Sequence, residues 1–149
     1  MSHSLPRIWV HAISGTKDRL PLINLNQEKK IYQHLEEQLI ELNCPVKIIN
    51  GMPDHVHLLF KQNPNISVED TLKQIKGNTS YWINHNDVLT EKFAWQTGYG
   101  AFSVSESQLE KVTAYILNQK MHHKQMTFKE EYEAFLKFNG FKLDGDTFK

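Results

Sequence analysis

His55 and His57 stand two residues apart in PDHVHLLF (53–60), a run whose apolar character and β-branched Val56 predict a strand. Side chains alternate across a strand, so Val56, Leu58 and Phe60 share one face, and His55, His57 and Leu59 the other. Imidazoles at alternate positions, roughly 6 to 7 Å apart along the strand, can converge on one metal ion. The same spacing also suits two solvated polar groups on an exposed sheet face. Two nitrogens do not complete a metal site, so a third ligand must come from another element. The segment 106–123 offers candidates: with Leu109, Val112 and Ile116 as the apolar stripe of a helix, Tyr115, Gln119 and His122 line one edge beside it at i, i+4 and i+7. Such an edge is equally the margin of an ordinary amphipathic helix, and with five tyrosines in the chain the spacing nominates Tyr115 without singling it out.

The elements that must position these residues follow from periodicity. A chain of 149 residues fits one domain, 1–149, with a substantial core. RIWVHAI (7–13) alternates as a strand, with Ile8, Val10 and Ala12 opposite Trp9, His11 and Ile13. Ile31, Leu35, Leu39 and Leu42 fall at helical spacing, with Asn43 and Pro45 as the stop. VKIING (46–51) and HVHLLF (55–60) read as a hairpin joined through Met52, Pro53 and Asp54. Ser67 opens a second helix carrying Val68, Leu72, Ile75, Thr79 and Trp82 on one face. The aromatic, glycine-punctuated stretch 93–105 reads as extended. Capping-box patterns at Ser105 with Gln108 and Thr127 with Glu130 open helices near 106–123 and 128–139, the last stopped by Gly140. The resulting order matches an α+β, ferredoxin-like (split βαβ) antiparallel sheet with helices on one face and extra C-terminal helices. That reading places His55 and His57 on the face left free for a ligand.

Composition narrows the function classes. Formal net charge is zero, so nothing global advertises a nucleic-acid or membrane surface, and any polyanion site must be local. The lone Cys44 excludes a disulfide framework and fits a reducing compartment. Neither a secretory leader pattern nor a membrane-spanning apolar run is visible, which leads to the expectation of a cytoplasmic protein with no membrane partner.

Taken together, TKDRLPLI (16–23), NGMPDHVHLLF (50–60), SVEDTLKQIKGNTSYWIN (67–84), WQTGYGAFSVSESQLEKVTAYILNQKMHH (95–123) and FKEEYEAFL (128–136) resemble the IS200-like single-strand DNA transposases of bacterial insertion sequences, members of the HUH endonuclease superfamily. The ordered pair PDHVHLL and YILNQKMHH carries most of the resemblance. It implies Tyr115 as the catalytic nucleophile, with His55, His57 and Gln119 as metal ligands; His122, on the same helical edge as Gln119, is a competitor for the third position. It also implies a divalent metal, Mg2+ or Mn2+, although two imidazoles suit zinc or nickel as well. The implied activity is cleavage and rejoining of single-stranded DNA at hairpin-containing element ends through a covalent 5′-phosphotyrosine. The implied assembly is a homodimer with active sites shared between chains. An inactive or domesticated nucleic-acid-binding module of the same fold is the alternative, and a metallohydrolase using activated water would have no need of Tyr115. Lys17, Arg19, Lys73, Lys76, Lys120 and His122 are candidate phosphate contacts, with His123 and Lys124 beside them. Trp95, Tyr99 and Phe102 could stack on unpaired bases or pack in the core.

Overall fold

The computed structural model describes residues 4–122 and 126–138, with the side chains of His122 and Phe138 outside the description. Strand β1 (Trp9–Gly15), helix α1 (Glu28–Glu41), the hairpin β2 (Val46–Met52) and β3 (His55–Lys61), helix α2 (Val68–His85) and strand β4 (Gly100–Val104) follow one another as the periodicity predicts. Helices α3 (Leu109–Leu117), α4 (Gln119–His122) and α5 (Phe128–Phe138) complete the described chain. The four strands form one sheet in the order β2-β3-β1-β4, every neighbouring pair antiparallel, which is the ferredoxin-like arrangement.

Local signals account for most boundaries. Asn43 takes the left-handed conformation (φ 58°) just after α1, which an asparagine tolerates at modest cost. Ser67 Oγ accepts the Asp70 N–H at 3.0 Å as the α2 cap. Thr127 and Glu130 form a reciprocal capping box before α5, each side chain accepting the other's backbone N–H. The box expected at Ser105 does not form: its hydroxyl faces Ser107 Oγ, and the chain enters α3 through a 3-10 turn at 106–108. The helix expected across 106–123 also breaks, at Asn118, whose N–H donates to the carbonyls of Ala114 and Tyr115. The expected stop at Gly140, the continuation to residue 123 and the tail lie outside the described residues.

Both faces of the sheet are covered. On one, Val10, Ala12, Val56, Leu58 and Phe60 pack with Ile31, Leu35 and Leu39 of α1 and with Leu72, Ile75 and Ile83 of α2. On the other, Trp9 and Leu59 meet Leu109 and Ile116 of α3, while Ile13 and Phe102 meet Phe128, Tyr132 and Leu136 of α5. The expectation of an open ligand face is therefore corrected, because the extra C-terminal helices close it. The reason is visible in residue type. Trp9, Ile13, Leu59 and Phe102 make this face too apolar to leave in water, and α3 and α5 each present a helical stripe that must be buried somewhere.

Two glycines allow the closest approaches. A Cβ at Gly51 would lie 2.2 Å from the His55 carbonyl oxygen, so the hairpin that presents the histidines needs glycine there. A Cβ at Gly100 would lie 2.7 Å from Tyr132 Oη, so the bare backbone of β4 lets α5 settle onto the sheet.

Candidate active site

Strand β3 delivers His55 and His57 to the α3 and α5 side of the sheet, where both are fully buried. Asn50, opposite His57 in the hairpin, donates through Nδ2 to the carbonyls of Ile116 (3.0 Å) and Leu117 (3.1 Å). Those carbonyls lie at the end of α3, where intrahelical partners run out, so the bonds satisfy them and tie the helix end to the hairpin. Lys120 adds a second tie: its ammonium donates to Gly51 O at 2.5 Å and pairs with the Glu28 carboxylate at 3.0 Å. With the segment held on both sides of the Asn118 break, Tyr115 and Gln119 point into the same buried space as the histidines.

Glu131, on α5, joins everything there. Its Oε1 lies 3.2 Å from His55 Nε2 and 3.3 Å from His57 Nε2. Its Oε2 accepts the Tyr115 hydroxyl and the Gln119 amide, the latter at 2.7 Å. Gln119 Oε1 in turn lies 3.1 Å from His55 Nε2. Glu131 is 1 % exposed, a carboxylate that survives burial because four polar groups face it.

The outer nitrogens of both imidazoles are also engaged. His55 Nδ1 donates to the Asp54 carboxylate at 2.7 Å, and His57 Nδ1 lies 2.8 Å from Nε2 of the buried His11. Both Nε2 atoms therefore face inward. Phe128 stacks flat on His55, with ring centroids 4.0 Å apart at 8°, and the Arg19 guanidinium sits 5.2 Å above that same ring. Arg19 and its neighbour Asp18 both adopt left-handed backbone conformations (φ 55° and 56°), which turn the chain over the rim of the site.

Protonation follows from these contacts. Burial opposes the charge on Glu131, but hydrogen bonds from His55, His57 and Gln119 outweigh it and hold the carboxyl well below the usual range. Burial and the adjacent Glu131 push the Tyr115 phenol far above its ordinary value, so the shared proton rests on the tyrosine. Burial would lower His55, yet its bonds to Asp54 and Glu131 prevail and raise it. Burial and the neighbouring His57 ring keep His11 well below an ordinary imidazole, hence neutral.

The residues present fit a divalent cation. His55, His57 and Glu131 each offer a ligand atom within 4.8 Å of the others. Ligands adjacent on an octahedron, each about 2.1 Å from the ion, lie roughly 3.0 Å apart. The 3.1, 3.2 and 3.3 Å separations among His55, Glu131, His57 and Gln119 are close to that edge. Two imidazoles with carboxylate and amide oxygens make a mixed nitrogen and oxygen donor set of the kind divalent cations take.

Of the residues singled out from sequence, the structure brings His55, His57, Tyr115 and Gln119 to one point, with Arg19 at its rim. Lys17 is exposed next to Arg19. Lys73 and Lys76 lie on α2, across the sheet, and the Lys76 ammonium is committed to the carbonyls of Gln96 (3.1 Å) and Gly98 (2.7 Å). Lys120 serves as the tie described above. The side chain of His122, the expected competitor of Gln119, lies outside the described residues, as do His123 and Lys124. Trp95 and Tyr99 pack against the α1–α2 core and Phe102 against α5, which favours the packing role for all three. Sequence reasoning missed Glu131, Asp54 and His11. Glu131 carried a readable signal: it falls on the apolar stripe Phe128, Tyr132, Phe135 and Leu136 of α5, where an acidic residue has no reason to be unless something inside requires it.

The ferredoxin-like sheet thus sets the His-hydrophobic-His pair of β3 facing Tyr115 of α3, with ring centroids of His57 and Tyr115 6.0 Å apart. Residues 4–119 match the family model described as Transposase IS200 like, and the chain belongs to that family. Among solved structures, it resembles a protein described as a putative transposase from Deinococcus radiodurans R1, with a TM-score of 0.63 and 22% identity, covering 80% of this chain and 95% of that one. It also resembles a REP-associated tyrosine transposase bound to a REP hairpin, with a TM-score of 0.60 and 13% identity, covering 85% of this chain and 76% of that one. At these identities the likeness speaks to fold. No curated protein matches the chain. The family match ends at Gln119, so the helix carrying Glu131 lies beyond it.

Proposed function

We propose that this transposase cleaves and rejoins single-stranded DNA at hairpin-containing element ends through a covalent 5′-phosphotyrosine on Tyr115, assisted by Mg2+ or Mn2+ held by His55, His57, Glu131 and Gln119. The observation that carries the reading is the double engagement of Glu131, one oxygen at the histidines and the other at the Tyr115 hydroxyl. Nucleophile and ligand set are thus registered to each other by a single carboxylate. The hairpin bound by the REP-associated relative supports the substrate class.

Phosphodiesters resist attack because their oxygens are anionic, and a bound divalent cation would supply charge withdrawal and orientation at that oxygen. The rest falls to the chain. Glu131 Oε2 fixes the direction of the Tyr115 hydroxyl, and Gln119 Nε2 holds Glu131 in place. As the Tyr115 Oη–P bond forms and the P–O3′ bond breaks, the phenolic proton leaves along the hydrogen bond to Glu131, and the leaving oxygen is protonated to a free 3′-OH. The Arg19 guanidinium, held over Phe128, provides a phosphate contact at the rim. The covalent bond preserves the energy for rejoining to another end. Transposition needs no nucleotide hydrolysis.

The test is incubation of the protein with Mn2+ or Mg2+ and labelled single-stranded DNA carrying hairpin ends, resolved under denaturing conditions. The expected result is a metal-dependent covalent adduct that Tyr115→Phe abolishes. Cleavage surviving in Tyr115→Phe would mean a water nucleophile, and hairpin binding without cleavage would favour a binding module. Within the described chain, Tyr115 reaches the histidines of its own chain. The homodimer with shared sites belongs to the proposal, and mixing Tyr115→Phe with His57→Ala chains tests it: restored adduct formation means that sites are composed of two chains.

A further inference from the structure

We infer that His11 is a positioning residue for the metal site, fixing the tautomer of His57 so that its Nε2 lone pair faces the cation. This rests on the reading of His55, His57 and Glu131 as ligands. Strand register makes the contact. In the β1–β3 pairing Ile13 stands opposite His57 and His11 opposite Leu59, so His11 is the diagonal neighbour of His57 on the same face. The two rings stack at 5.0 Å, His11 Nε2 lies 2.8 Å from His57 Nδ1, and Phe135 closes edge-on over His11 at 5.0 Å. His11 is 1 % exposed, so the contact is made inside the protein and not through bulk water.

An imidazole that gives its Nε2 lone pair to a metal carries its proton on Nδ1 and must place it. For His55 the acceptor is the Asp54 carboxylate; for His57 it is the His11 ring. The two acceptors differ in charge. Asp54 lies at the partly exposed turn, where an anion is tolerated, whereas His11 accepts with a neutral nitrogen in the interior and adds no second anion beside Glu131. Accepting through Nε2, His11 holds the His57 proton on Nδ1 and leaves the His57 Nε2 lone pair for the cation. A phenyl ring there would fill the space and could not accept that proton.

The experiment compares Mn2+ binding, followed by the electron paramagnetic resonance of free Mn2+, in the wild-type chain, His11→Phe and His11→Gln, with thermal melting of each. Loss of an outer-shell partner of this kind weakens metal binding about 10- to 100-fold. His11→Phe should show that loss, and His11→Gln, whose side-chain carbonyl still accepts, should regain most of it at a similar melting temperature. In the wild-type chain loaded with Zn2+ as a diamagnetic probe, 15N NMR should place the His57 proton on Nδ1. Wild-type affinity in His11→Phe, no recovery in His11→Gln, or a proton on His57 Nε2 with Zn2+ bound would each overturn the inference. If His11→Phe does not fold, the NMR arm decides. Absence of Mn2+ and Zn2+ binding by the wild-type chain would instead sink the ligand assignment itself, an outcome distinct from equal binding by wild type and variant.

Discussion

Glu131→Gln separates two ligand sets that differ by one residue: His55, His57 and Gln119 alone, or these with a carboxylate. The substitution keeps shape and removes charge. Four groups face this side chain: the Tyr115 hydroxyl, the Gln119 amide and the Nε2 atoms of His55 and His57. A glutamine would turn its carbonyl to Tyr115 and Gln119, whose donors need an acceptor, and its NH2 to the imidazoles, where it would occupy their lone pairs. That orientation blocks the cation directly. Outer-shell losses already cost 10- to 100-fold in metal affinity, so loss of a charged ligand together with obstruction should cost at least about 100-fold, roughly 2.7 kcal/mol. Isothermal titration with Mn2+ at fixed pH reads the change, beside Gln119→Ala as the counterpart. If Glu131→Gln binds Mn2+ within twofold of wild type while Gln119→Ala loses binding, Glu131 is no ligand and the coupling of metal to nucleophile argued above fails.

Other expectations follow from the same contacts. Asp54→Asn replaces the acceptor of His55 Nδ1 with a neutral amide and should weaken Mn2+ binding about 10-fold, read by the same titration. Gly51→Ala would drive a Cβ into the His55 backbone and should destabilise the fold by about 3 kcal/mol or more in urea denaturation. Burial depresses the Lys76 ammonium to about 8 from 10.5, so the unfolded chain binds more protons between those values and this residue's contribution makes stability rise with pH there; Lys76→Met should flatten the rise in melting temperature. His55 is raised, so its ion-pair contribution is fully present below about 6.5. That contribution should fade as pH climbs through the raised value, a loss that His55→Gln removes from the melting profile.

Element order was legible because the apolar periods of β1, α1, the hairpin and α2 each matched a single secondary structure, and split βαβ topology follows from that order with few alternatives. The cover over the second face was harder. Trp9, Ile13 and Leu59 announced a buried face, but only the docking of α3 and α5 shows what buries it. At the site, strand spacing nominated His55 and His57 and helical register nominated Tyr115 and Gln119, the family resemblance alone singling them out, even though the helix breaks between the last two at Asn118. The break leaves both side chains directed inward because Asn50 and Lys120 hold the segment, a tertiary effect with no trace in the local sequence. His11 was invisible for another reason: whether it meets His57 depends on the β1–β3 register, which a shift of one residue would undo. Glu131 stood in the open as an acid on an apolar stripe.

Vectorial synthesis adds a consequence to the position of Glu131. The hairpin presenting both histidines leaves the ribosome some seventy residues ahead of the carboxylate, since position 131 follows 57 by 74. A nascent chain whose hairpin has emerged thus carries the imidazoles before Tyr115 and Glu131 are made, and at 5–20 residues per second the wait for Glu131 lasts roughly 4 to 15 seconds. A centre whose last part is made late stays incomplete until its own cover has been laid down.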